Sequence, residues 1–262
     1  MKNDIKIHVP ANGNELLIKV QQKINSNIEI KTLWDVINVN AMERLSMPDH
    51  GPVHFQIVAN IALRLARLLE KHNVQLSIVK DFELSTKHGE LVIFLASIMH
   101  DLGMTIEREG HEEFSLFLTN TLIREILDFL PVADRTIVAS EVLHAIISHR
   151  SGGRPLTIEA GIVRVADALD MSEGRSRIPY LAGKLSIHSI SAAAIDSVDI
   201  SEGSDKPIQI AIHMNNSSGV FQVDELLKKK LKGSGIEKYV SVIAKIEGKG
   251  EKQLVKEVSL DF

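Results

Sequence analysis

Apolar positions recur at helical spacing through the middle of the chain and at a spacing of two towards its end. The first thirty residues alternate weakly. Ile5, Ile7 and Val9 fit one strand and ELLIKV (15–20) a second, so residues 1–30 read as a strand-like arm. From Lys31 to about Met171 the pattern becomes helical. Behind Pro52, VHFQIVANIALRLARLLEKH places Val53, Ile57, Ile61, Leu65 and Leu68 on one stripe. LVIFLASIMH, ending at His100, predicts a second helix buried on most sides. HEEFSLFLTNTLIREILDFL predicts a third, stopped by Pro131, and DRTIVASEVLHAIISH a fourth, closed by the loop RSGGRP. Thr157 caps a fifth, IEAGIVRVADALDM. Helices joined by short loops make a bundle, and residues 31–180 read as one helical domain.

The pattern changes after Pro179. In PIQIAIHM (207–214), Ile208, Ile210, Ile212 and Met214 share one face, and SVDI can pair with that strand across EGSDK. VDELLKKKLK is a short amphipathic helix whose KKK run reads as a solvated face. YVSVIAKIEG and QLVKEVSLDF read as a hairpin across GKGEK. Residues 181–262 are therefore a small α+β module, and the fold class is α+β: an all-α bundle followed by that module. Its apolar strands could build a homodimer interface.

Composition narrows the function. A net charge of −4 gives no overall field favouring nucleic acid or a membrane surface. The absence of cysteine excludes disulfides, thiolate zinc sites and cysteine nucleophiles. The longest apolar run falls well short of the roughly 20 residues that span a bilayer, and MKNDIKIHVP has no apolar signal core. A soluble cytoplasmic protein is expected.

The chemistry concentrates on histidines and aspartates at helix ends. SIMHDLGM (97–104) closes an apolar helix with His100 and Asp101 side by side, which is costly unless the carboxylate is paired. His54 lies in the first long helix, His111 opens the third, His144 and His149 lie late in the fourth, and Asp167 sits in the fifth. Bundles build metal sites from such inward side chains. Imidazole with carboxylate suits Mn, Fe, Co, Ni or Zn more than Mg. His54, His100, Asp101 and Asp167 would hold one divalent ion; Asp101 could bridge to a second on His111 and His149. His144 and His149 are five apart, about 140° around a helix, so they cannot face one point together unless the helix frays or bends. One of the two is then a ligand, and His144 could instead be a proton carrier facing substrate. Asp101, His144 and Asp170 are the candidate catalytic groups. Arg150, Arg154 and Arg164 are candidates for substrate phosphate, Arg164 having Asp167 as its other possible partner. Arg175 and Arg177 fit phosphate contacts or an interdomain pair, and His50 a cap or a support for the site. Glu112 and Glu113 read as exposed first-turn carboxylates.

With these residues in place, the chain resembles the HD-domain superfamily of metal-dependent phosphohydrolases, whose pattern is a histidine, a His-Asp pair and a distal aspartate. Here those are His54, His100–Asp101 and Asp167, over about residues 45–175. The additional His111 and His149 resemble the two-metal branch that includes the HD-GYP cyclic-dinucleotide phosphodiesterases. DHGPVH and VRVADALDMSEGRSRIP are similar to segments of archaeal and bacterial HD proteins. Met104 stands where many relatives carry a lysine, and His149 is single where HD-GYP members have two adjacent histidines. The resemblance implies a helical metal-binding domain that hydrolyses a phosphomonoester or phosphodiester, with a nucleotide as substrate. Two rivals share the donor set: a di-iron oxygenase of HD type, and a nucleotide sensor without catalysis.

Overall fold

The computed structural model describes residues 5–150, 152–171, 187–247 and 257–260. Arg175, Arg177 and the anticipated domain boundary near residue 180 lie outside them. Eight helices precede the sheet module among the described residues: α1 (Glu15–Ser26), α2 (Ile28–Asn38), α3 (Pro52–Lys71), α4 (Ser77–Phe82), α5 (Thr86–Met99), α6 (His111–Ile126), α7 (Val132–Ser148) and α8 (Ile158–Leu169). α3, α5, α7 and α8 pack on one another around the apolar core, with α5 buried along almost its whole length.

The expected N-terminal strands are corrected. ELLIKV belongs to α1, because continuing the pattern to Ile24 puts Leu17, Val20, Gln21 and Ile24 on one buried stripe. Asn14 caps the helix by accepting from the backbone N–H groups of Leu16 and Leu17. Residues 5–12 are extended with Ile7 and Val9 buried, but side-chain amides replace a strand partner. Gln21 brackets the backbone of Val9 and Asn25 that of Ile7, each amide both accepting and donating. The helical unit therefore begins at Glu15 rather than near residue 31.

The stripe expected on α3 is also rotated. His54, Phe55, Val58, Ala59, Ala62, Leu63, Leu65, Ala66 and Leu69 face inward, while Val53 is exposed. The three alanines leave room for neighbouring helices to approach closely, and that close packing selects the face. α4 has only six residues, too few for a periodic signal. The buried Glu159 carboxylate holds it by accepting from the amides of Ser77 (3.1 Å) and Ile78 (2.9 Å). Thr157 caps α8 as expected, accepting from the amide of Ala160.

The module has a short helix α9 (Ile187–Ala193) and a four-stranded sheet in the order β1 (Ile195–Glu202), β2 (Ile208–Met214), β3 (Val240–Ile246), β4 (Glu257–Leu260). β1–β2 and β3–β4 are antiparallel; β2 and β3 are parallel, with Ile208 opposite Val240 and Met214 opposite Ile246. A parallel pair needs a crossover. Here it contains a π-helical stretch (Gln222–Lys228) that runs into one α turn (Lys229–Leu231). Ile208, Ile210, Ile212 and Met214 are buried within this single chain, as are Val223, Leu227 and Leu231 of the crossover. The strand face that suggested a dimer contact is thus already covered.

Gly161 of α8 lies against the segment after the crossover, where a Cβ would fall 2.0 Å from the Ser234 carbonyl oxygen. Gly161→Ala should therefore lower unfolding free energy by about 1–3 kcal/mol, read from urea denaturation. On α7, Glu141 is half-buried near Glu159 and Asp81, and burial followed by those charges raises its carboxyl above the ordinary value of 4.5. The folded chain then keeps this proton where the unfolded chain releases it, so stability falls as pH rises through that window. Glu141→Gln removes the penalty. It should raise the melting temperature by about 1–2 °C at pH 7 and leave it unchanged near pH 4.

Candidate metal centre

The histidines of the site sit at or near helix termini, and local sequence explains each placement. Asp49 caps α3 with one carboxylate oxygen, accepting from the amides of Gly51 (2.9 Å) and His54 (3.3 Å). His100 caps the C-terminus of α5, and Asp101 leads into a tight turn at Leu102–Thr105. Gly103 is required there because a Cβ would meet the His111 carbonyl oxygen at 2.0 Å. The Ser115 hydroxyl of α6 accepts from the Gly103 amide and lies 2.6 Å from the His100 carbonyl oxygen, fastening the turn to α6. Gly110, with φ +69°, starts α6 so that His111 is its first residue. His149 caps α7, and Asp167 and Asp170 end α8.

Each imidazole turns Nδ1 to an acceptor. His54 Nδ1 lies 2.6 Å from Asp170 Oδ2, His100 Nδ1 2.9 Å from the Ser97 carbonyl, and His149 Nδ1 2.6 Å from the Ile146 carbonyl. His111 Nδ1 lies 2.9 Å from the Arg108 carbonyl, with the Arg108 guanidinium 2.8 Å from the same nitrogen. The carbonyl is the partner consistent with a proton on Nδ1. For His54, His100 and His149 these contacts place the proton on Nδ1 and leave the Nε2 lone pair of the neutral ring free to face the centre.

The four Nε2 atoms converge on two carboxylates. Asp167 Oδ1 is 3.4 Å from His54 Nε2 and 3.7 Å from His100 Nε2. Asp101 Oδ2 is 3.8 and 3.5 Å from the same two nitrogens. Asp101 Oδ1 instead faces His111 Nε2 at 3.0 Å and His149 Nε2 at 3.6 Å. Asp101 therefore divides its oxygens between two histidine pairs. Burial alone would raise its carboxyl, but the charge of His100 and the hydrogen bond from His111 hold it well below the usual carboxylate range. Burial opposes ionisation of Asp167 too, and Lys230 with the contacts to His100 and His54 outweighs it. Burial, then His100 and Lys230, push His149 down to about 3, so its ring is neutral near pH 7. His111 is raised: burial pulls it down, and its contact with Asp101 prevails.

The donor set fits a divalent cation. His54 Nε2 and His100 Nε2 lie 3.2 Å apart. Two lone pairs facing each other at that distance repel, and a cation between them turns the repulsion into ligation. Ligands about 2.1 Å from one ion would lie roughly 3.0–3.5 Å apart, close to the separations seen here. Three donor groups could each hold an ion: His54, His100 and Asp167; His100, Asp101 and His149; and His111, Glu112 and His149.

Other expected site residues lie elsewhere. His144 accepts the Leu156 amide on Nε2 at 2.9 Å, which fastens the loop after α7, and burial lowers its pKa. Asp170 lies behind His54, on Nδ1, and so orients the ring instead of facing the converging Nε2 atoms. Arg150 is exposed and pairs with Glu113 at 2.5 Å; Arg154 is exposed. Arg164 is turned to backbone instead. Its buried guanidinium donates to the carbonyls of Ser148, Arg150, Gly153, Lys229 and Lys230 rather than to Asp167.

Two residues of the site face inward where solvent was expected. Glu112 is only 14% exposed and comes within 3.3 Å of His111 Nδ1, because α6 starts with His111 already turned inward. Lys230, expected on a solvated face, pairs with Asp167 Oδ2. A signal for it exists. Lys228 and Lys229 have Asp224 and Glu225 four residues earlier and pair with them, whereas Lys230 has Leu226. It also follows Leu227 by three residues, on the buried side of the crossover.

Residues 53–172 match the family model described as HD domain. The chain belongs to the HD-domain family, a superfamily of metal-dependent hydrolase type. It is 39% identical over 242 residues to "Uncharacterized protein MJ1020" of Methanocaldococcus jannaschii, a match that covers 92% of this chain and 93% of that protein. No solved structure matches. Among the described residues, no helix is long and apolar enough to cross a membrane.

Asp170→Asn should keep the fold while weakening divalent-metal affinity about 10–100-fold, the usual effect of removing a carboxylate behind a histidine ligand. Titration calorimetry with Mn or Zn measures the change, and circular dichroism checks the fold.

Proposed function

We propose that the chain is a metal-dependent phosphohydrolase that cleaves a phosphomonoester or phosphodiester of a nucleotide. The observation that carries this reading is the division of Asp101, with one oxygen facing His54 and His100 and the other His111 and His149. That is the arrangement expected of a carboxylate bridging two cations. His54, His100, Asp101 and Asp167 would hold the first ion, and His111, His149 and Asp101 the second, with Glu112 within reach. A bound divalent ion supplies water of lowered pKa near neutral pH and polarises a phosphoryl oxygen. The protein's part is orientation. Asp170, Ser97, Ile146 and Arg108 fix the imidazoles through Nδ1, so the ring nitrogens need no reorganisation when substrate binds.

Elemental analysis of the purified protein, followed by turnover assays on nucleotide mono- and diesters, tests this. One or two equivalents of Mn, Ni, Co, Zn, Fe or Mg and metal-dependent hydrolysis are expected. Asp101→Ala should lower turnover at least about a hundredfold while circular dichroism is retained. No metal uptake, or full activity in that variant, removes the reading. Iron with oxygen consumption instead supports the oxygenase, and tight nucleotide binding without turnover the sensor.

A further inference from the structure

The crossover of the C-terminal module brings a lysine into the centre. Lys230 is 14% exposed, and its ammonium pairs with Asp167 Oδ2, while Asp167 Oδ1 faces His54 and His100. Its position is fixed from behind. Arg164 Nε donates to the Lys230 carbonyl at 2.8 Å, and the same guanidinium binds the carbonyls of Ser148, Arg150 and Gly153 around His149. One arginine thus holds the lysine segment and the His149 loop in register. The neighbouring Lys228 and Lys229 point to solvent and pair with Asp224 and Glu225.

Charge gives this lysine a use beyond pairing. Among the described residues, Asp101, Asp167, Asp170 and Glu112 are the carboxylates within reach of the four imidazoles. Two divalent cations would balance all four, and Lys230 would then leave the centre with net positive charge, which favours an anion. A lysine ammonium is a compact point charge with three donors, suited to phosphate oxygens. Asp167 accepts only one of the three.

We propose that Lys230 is the phosphate-binding residue of this centre. Its ammonium stays beside Asp167 Oδ2 and donates to a non-bridging oxygen of the phosphoryl group. The active site is then composite: the bundle holds the metals and the C-terminal module supplies the anion contact. This inference rests on the phosphohydrolase reading, and its test uses a readout besides turnover.

Inorganic phosphate is titrated calorimetrically into the full-length, Mn-loaded protein, alongside a measurement of the metal-to-protein ratio. Lys230→Met should weaken phosphate binding about tenfold or more, the loss expected for a charge-assisted hydrogen bond, at unchanged metal content. Lys230→Arg should recover most of it, and Lys228→Met should match wild type. With an ester that is turned over, the Lys230→Met defect should appear in KM. Unchanged phosphate affinity in Lys230→Met overturns the inference, as does absence of phosphate binding in wild type. Joint loss of metal and phosphate also overturns it, making Lys230 a support for Asp167 alone. Lys230-dependent phosphate binding in a protein that hydrolyses no ester supports the residue's role and removes the phosphohydrolase reading.

Discussion

The arrangement depends on burying the Asp101 and Asp167 carboxylates, at 5% and 17% side-chain exposure, inside an otherwise apolar bundle. Carboxylates without partners there would protonate or unfold the site. Four imidazoles and one ammonium surround them, and those groups keep both acids ionised in spite of burial. Much of the local structure serves this clustering. The glycine at 103 lets the His-Asp turn lie against α6, Asp49 starts α3 so that His54 faces inward, and Gly110 starts α6 at His111.

Placement at helix ends has its own physical reason. The last carbonyls of a helix lack intrahelical donors. His100 and His149 exploit this identically, each turning Nδ1 to the carbonyl three residues earlier, Ser97 and Ile146. A carbonyl at the helix end thereby fixes a tautomer, and Nε2 is left for the centre.

The C-terminal module is joined to this chemistry through α8. That one helix carries Asp167 and Asp170 for the site, Gly161 for close approach to Ser234, and Arg164 for the carbonyls of the crossover and of the loop after His149. Arg164 has too many fixed acceptors to serve as a mobile anion contact. Its role is to hold two segments of backbone near each other, and Lys230 reaches Asp167 from one of them.

Sequence alone determined the long elements and the clustering residues. Periodicity marked α3, α5, α6, α7 and α8, each twelve residues or longer, and the strands β2 and β3, whose seven residues alternate strictly, because such runs leave a pattern no turn can imitate. It also singled out His54, His100, Asp101, His111, His149 and Asp167, since such residues at apolar helix ends are expensive without partners. It misassigned α1 because six residues fit two periods equally well, and it rotated α3 because small alanines carry little hydrophobic signal. Tertiary structure alone decided which charges face inward. Glu112 and Lys230 lie beside residues of similar type that face solvent, and for Lys230 the difference is set by Asp167, 63 residues away. Local composition records that a charge exists; only packing between distant segments decides what it touches.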